Sequence, residues 1–134
     1  MIVSTKGRYA LRVMIDMAEQ NSNERTPLKE IAERQEISQK YIEAIMTLLS
    51  KNGLVEAVHG KGGGYKLNKK PEEYRVGDIL RLTEGTLSPV ACLEKDAPEC
   101  PRKAVCRTLP LWTKLDDLVE NYLDSVTLAD LMKN

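Results

Sequence analysis

Apolar residues recur at three- and four-residue intervals along the first stretch of the chain. Tyr9, Ala10, Val13, Met14 and Met17 keep this spacing, which predicts a helix from about Ser4 to Glu19 with one side turned inward. The segment Asn21 to Arg25 is polar and turn-like. Thr26 then precedes Pro27, the signature of an N-cap followed by a first-turn proline whose missing N–H costs nothing. A short helix over Leu28–Arg34 follows, burying Leu28, Ile31 and Ala32. After a tight turn at Gln35–Ile37, Ser38 is expected to cap a third helix that stops near Lys51, at Asn52-Gly53. Its apolar side is Ile42, Ile45, Met46 and Leu49, and its polar side is Gln39, Lys40, Glu43, Thr47 and Ser50. One face therefore packs and the other is free to touch something.

Two short strands are expected at Leu54–Val58 and Gly64–Leu67, joined by His59-Gly60-Lys61-Gly62-Gly63. A short helix covers Val76–Thr83, a loop bearing prolines and cysteines runs from Gly85 to Cys106, and a long helix spans Thr108–Val126. Thr127 and Asp130 form a T-x-x-D capping box for a last short helix. Helix, short helix, tight turn, helix and hairpin is the order of a winged helix-turn-helix. The fold class is mainly α with a small β-hairpin wing and a long final helix. We divide the chain into a winged helix-turn-helix at 1–84, a cysteine-bearing loop at 85–107, and a dimerisation helix with its tail at 108–134.

In the long helix, Leu111, Leu115, Leu118 and Tyr122 form one stripe, and Trp112, Val119, Leu123 and Val126 widen it. That is broader than one intramolecular face needs, so a homodimer is expected. A helix of this length reaches about 27 Å, enough to set two reading heads apart. The alternative is a helix that only closes its own core.

Composition narrows the function. With 134 residues, 42% hydrophobic and 30% charged, the chain suits a folded core rather than disorder. Net charge is zero, yet residues 1–75 hold 13 Lys/Arg against 10 Asp/Glu while residues 76–134 hold 7 against 10. A local positive stripe is all that a DNA surface requires. The opening residues are interrupted by Lys6, Arg8 and Arg12 and form no apolar signal region. No apolar run approaches membrane-spanning length. A cytoplasmic address is expected, where thiols stay reduced.

In a winged helix-turn-helix the third helix lies in the major groove with its N-terminal residues against base edges. Here those are Ser38, Gln39, Lys40, Tyr41 and Glu43. Gln pairs with adenine at two points, Glu accepts from cytosine N4, and Ser or Lys holds phosphate. The wing, His59, Gly60, Lys61, Gly62, Gly63 and Tyr65, combines close-approaching glycines with the charge of Lys61, Lys66, Lys69 and Lys70. Lys6 and Arg8 add charge at the start of the first helix. Against this stand plainer readings: a solvated polar face, a Lys40–Glu43 surface pair, and a glycine turn. The Gly-rich run lacks the phosphate-loop pattern. A single His and no nucleophile–base pair argue against an enzyme.

Cys92, Cys100 and Cys106 form C-x7-C-x5-C among Pro89, Pro98 and Pro101. Thiolates so placed suit an iron–sulfur cluster, a zinc ion, though without the usual close pairs, or redox thiols. Spacing leaves all three open.

The opening M-I-V-S-T-K-G-R-Y-A-L-R-V-M, the segment I-S-Q-K-Y-I-E-A-I-M-T-L-L, the wing V-H-G-K-G-G-G-Y-K-L and the V-G-D-I-L after it resemble the Rrf2 family of small winged-helix repressors. That family takes in the regulators IscR, NsrR and CymR. The resemblance covers nearly the whole chain. It implies a homodimer acting as a transcriptional repressor on double-stranded promoter DNA. It further implies a 2Fe–2S cluster on the three cysteines, with 4Fe–4S as the alternative, cluster-assembly proteins as donors, and cluster-assembly genes as targets.

Two departures stand out. The first gap is two residues longer than the commoner C-x5-C-x5-C. The family's fourth-ligand positions, a His three residues after the last Cys or an Asp in the first helix, hold Leu109 and Arg8 here. Glu43, reaching from the partner subunit, is the expected fourth ligand, with His59, Glu94, Asp96 and Glu99 as competitors. The rival functions are a cluster-free thiol- or nitric-oxide-sensing repressor, an iron–sulfur carrier or electron-transfer protein, and a structural zinc module.

Overall fold

The computed structural model describes residues 3–21, 24–60 and 63–133. Three helices build the head: α1 (Thr5–Asn21), α2 (Leu28–Gln35) and α3 (Gln39–Lys51). They are followed by strands β1 (Val55–Val58) and β2 (Gly64–Leu67), then by α4 (Val76–Glu84), α5 (Leu109–Ser125) and α6 (Leu128–Leu131).

Most of the periodic apolar positions meet as expected, but of the three expected inside on α2 only Ile31 is buried, while Leu28 and Ala32 stay half-buried at the edge of the core. Val13, Met14 and Met17 of α1 pack with Ile31 of α2 and with Ile42, Ile45, Met46 and Leu49 of α3, all buried. Val55, Leu67, Tyr74, Ile79 and Leu128 close the same core. The side chain of Ser38 accepts from the N–H of Tyr41, the cap expected for α3. The turn before it passes through Glu36 in the left-handed region, at φ 54°. Buried Ile37 then anchors the turn to the core. Asp16, itself buried, receives a forked bond from Arg34 at 2.7–3.2 Å and another from Gln35 at 2.9 Å, which locks α2 onto α1.

Thr26 departs from expectation. Pro27, not Thr26, stands at the N-cap of α2, and no side chain caps it. The buried Thr26 instead exchanges backbone hydrogen bonds with Tyr65, at 2.7 and 3.2 Å, as an isolated bridge beside β2. Edge pairing satisfied its backbone, and the polar cap was forgone. Gly64, at φ +143°, lies so close that an added Cβ would sit 2.5 Å from the Thr26 carbonyl oxygen.

The hairpin is antiparallel, with Val55 opposite Leu67 and Glu56 opposite Lys66. Tyr74 fastens its exit: its hydroxyl donates to the Leu54 carbonyl at 2.8 Å and accepts from the N–H groups of Asn68 and Lys69. The cysteine-bearing loop is not featureless, since 3₁₀ turns form at Ala91–Leu93 and Lys103–Val105.

A second, smaller core joins α4 to α5. Val76, Leu80 and Leu87 are buried there, with Leu123 and Val126 of the long-helix region packed against them. Arg81 clamps the same junction, reaching Asp124 at 2.7 Å and also Glu120. This divides the apolar surface of α5. Leu123 and Val126 pack within the chain, while Leu111, Leu115, Leu118 and Tyr122 stay 59%, 38%, 55% and 67% exposed. No residue of α5 is buried. Beyond it, Thr127 and Asp130 form the expected capping box, and Leu128 returns into the head's core.

Candidate nucleic-acid interface and cysteine cavity

The polar face of α3 is open. Ser38, Gln39, Lys40, Tyr41 and Glu43 are all exposed. Lys40 and Glu43 form no ion pair, so the surface-pair alternative finds no support among the described residues. Tyr41 also has a structural side: its ring meets Tyr9 edge-on at 5.5 Å, and the Arg12 guanidinium lies 5.1 Å above Tyr9. Arg12 in turn donates to the Gln35 side chain and carbonyl. The N-terminus of α3 is thus fixed to α1 by aromatic and cationic contacts that helical periodicity does not reveal. Lys6 and Arg8 are exposed on α1, where Arg8 donates to Thr5 at 3.2 Å.

On the wing, His59 and Gly60 are exposed, Gly63 donates to the Gly60 carbonyl, and Tyr65 is half-buried beside Thr26. Arg25 donates to the Gly63 carbonyl at 3.2 Å and supports the turn. Lys61 and Gly62 lie outside the described residues. Lys66 is less free than the linear charge run suggests, because Glu56 faces it across the hairpin at 3.7 Å. Lys69 covers the Tyr74 ring at 5.7 Å.

The three cysteines share one cavity. Its volume is about 370 Å³, and its wall includes Cys92, Glu99, Cys100, Lys103, Cys106 and Leu109. Cys92 and Cys100 are exposed and Cys106 is partly covered. Among the described residues, no three His, Cys, Asp or Glu side chains group closely enough to hold a single metal ion. The cysteines line a common wall rather than a closed one-ion shell.

Cys106 has the most defined surroundings. Its sulfur lies 3.5 Å from the Thr108 hydroxyl, just before the first turn of α5. That hydrogen bond, the backbone N–H groups of Thr108 and Leu109, and the nearby Arg102 charge together hold the thiol below the ordinary cysteine value, against a smaller opposing effect of burial. A thiol at a helix N-terminus near cations is set to ionise.

Of the proposed fourth ligands, Glu99 alone lines this cavity. Glu94 and Asp96 border a different groove with Gly85 and Thr86. His59 is on the wing and Glu43 on the open face of α3, neither lining the cavity of its own chain. Leu109 does face the cavity but carries no donor atom. The cation Lys103 and the Thr108 hydroxyl were not singled out from the sequence, because their roles depend on loop packing.

Known proteins share this architecture. Residues 3–134 match the Rrf2 family, described as an iron-dependent transcriptional regulator. The regulator CymR of Bacillus subtilis (strain 168) is 40% identical over 98% of this chain and 89% of its own. Its solved structure, titled as that of the global cysteine regulator, superposes with a TM-score of 0.78, covering 98% of this chain and 95% of that one. The regulator IscR of Serratia proteamaculans (strain 568) is 37% identical over 100% of this chain and 80% of its own. The solved structure of T. potens IscR has 37% identity and a TM-score of 0.75, covering 98% of this chain and 85% of that one. These relatives are transcriptional regulators rather than enzymes, and the chain belongs to the Rrf2 family of helix-turn-helix transcriptional regulators.

Proposed function

We propose that the chain is a homodimeric repressor that binds promoter DNA and senses iron–sulfur status through Cys92, Cys100 and Cys106. The observation that carries the sensing part is the shared cavity of three cysteines drawn from fifteen positions of sequence. Three soft thiolate donors on one wall fit a cluster, whose ligands are divided over more than one iron and need not meet at a single point. When bound, a 2Fe–2S cluster, or 4Fe–4S in the alternative, supplies a one-electron centre whose iron exchanges ligands. Cys106, already disposed to ionise, is the natural first ligand. Lys103 in the wall offsets the negative charge of the thiolates.

The reading head is Ser38, Gln39, Lys40, Tyr41 and Glu43 on α3, flanked by Lys6 and Arg8 and by the wing at His59–Tyr65. Gln39 and Glu43 contact bases, and Lys40 and the wing contact phosphate. If Glu43 is instead an iron ligand, only the partner subunit's Glu43 is left to reach the cavity. Cluster-assembly genes as targets, and cluster-assembly proteins as donors, follow from the likeness to IscR.

A second reading has its own support. CymR is at least as similar as IscR, at 40% against 37% identity, and the depressed Cys106 thiol suits a cluster-free thiol switch. Anaerobic isolation separates the two. The cluster reading expects close to two iron and two sulfide per chain with visible thiolate-to-iron absorption, lost on Cys106→Ser. A colourless, iron-free protein contradicts it and favours the thiol switch. On the DNA side, Gln39→Ala is expected to cost about 1–3 kcal/mol at one base position. Lys40→Ala is expected to weaken all sequences alike and lower the salt slope by about 1.

A further inference from the structure

Resting on the cluster reading of the cavity, we infer that Glu99 of the same chain supplies the fourth ligand, through its carboxylate beside Cys92, Cys100 and Cys106. Three thiolates leave one coordination position to be filled. Among the cavity's lining residues, Glu99 is the single carboxylate, and no imidazole lines it. Leu109 projects from the start of α5 without a donor atom, and the Thr113 hydroxyl is a neutral oxygen. Glu94 and Asp96 do not line it and border a separate groove instead.

Glu99 is also uncommitted. It makes no hydrogen bond and no ion pair among the described residues, whereas Asp16, Glu84 and Asp124 are each held by a specific partner. It directly precedes Cys100, so backbone placement of one ligand places the other. Pro98 and Pro101 flank the pair and narrow the backbone on both sides, which lowers the ordering cost of bringing both side chains to the cavity. Lys103 lines the same wall and offsets part of the charge of a fourth anionic donor.

A carboxylate is a harder donor than a thiolate and is less well matched to iron in a sulfide-bridged core. The fourth position is therefore the one most readily exchanged. That makes Glu99 the residue that sets how easily the cavity surrenders its iron.

The test uses the full-length protein isolated anaerobically, with Glu99→Ala, Glu99→Cys and Glu43→Ala compared with wild type. Iron and sulfide per chain, retention of visible absorption under a chelator, and the resonance spectrum after one-electron reduction are read for each. Thermal melts confirm that the variants fold. Glu99→Ala is expected to lose iron roughly tenfold faster than wild type and to show altered resonance values. Glu99→Cys is expected to restore retention with a changed, all-thiolate spectrum, and Glu43→Ala to keep the wild-type iron retention and spectrum. A wild type bearing a cluster with Glu99→Ala unchanged in rate and spectrum overturns the assignment alone. A wild type with no bound iron or sulfide overturns the cluster reading and the assignment with it.

Discussion

Cys106 differs from its two companions in what surrounds its sulfur. The Thr108 hydroxyl and the N–H groups that open α5 stabilise its thiolate, and Arg102 adds to them. A lowered thiol pKa means the reactive anion persists to lower pH than in a free cysteine. In a protein with Cys92 and Cys100 replaced by Ser, alkylation of Cys106 should reach half its maximal rate below the pH typical of an unperturbed thiol. Thr108→Val should move that midpoint upward by removing the largest contribution. A midpoint at the ordinary thiol value, unmoved by Thr108→Val, would contradict the account of this site.

At the scale of elements, the turn between α2 and α3 places Glu36 at φ 54°, where a side chain is disfavoured. Glu36→Gly is expected to stabilise the head by about 0.5–1 kcal/mol, seen as a rise in Tm. Gly64→Ala should act in the opposite sense, by more than about 1 kcal/mol, because its new Cβ would strike the Thr26 backbone. If Gly64→Ala melts like wild type, the bridge between Thr26 and Tyr65 does not hold the wing. This bridge also marks where local pattern reading stops. The helices were legible because apolar spacing within one helix is a local signal. Thr26 before Pro27 fits a cap locally, yet its backbone partner lies far along the chain on β2. Likewise Lys66 reads as free charge until the hairpin register sets Glu56 opposite it. The 3₁₀ turns of the cysteine loop leave no periodic trace. The count of cysteines hinted at a shared site, but the cavity and the place of Glu99 in its wall follow from packing.

At the scale of the molecule, α5 is the element without a complete home. One side is fixed by Leu123 and by the grip of Arg81 on Asp124, whose carboxyl that guanidinium holds below the usual range. Leu111, Leu115, Leu118 and Tyr122 remain exposed on the other, at spacings that form one stripe. A second copy of the chain would cover them through a two-fold contact. Leu118→Glu is expected to leave the fold intact, because Leu118 belongs to neither core cluster. It should raise the dimer dissociation constant by roughly a thousandfold, from about 2 kcal/mol per copy. Sedimentation gives the check: a variant that stays as dimeric as wild type places the subunit contact elsewhere. Dimerisation also bears on sensing, since the cysteine loop links α4 of the head to α5. The most direct measurement of that link is the affinity of the protein for a duplex selected from a random pool, taken at one fixed salt concentration with iron and sulfide loaded and again after their removal. The two affinities are expected to differ by roughly tenfold or more, and Cys106→Ser to abolish the difference. Equal affinities in both states, or no binding to any duplex at low ionic strength, would contradict it.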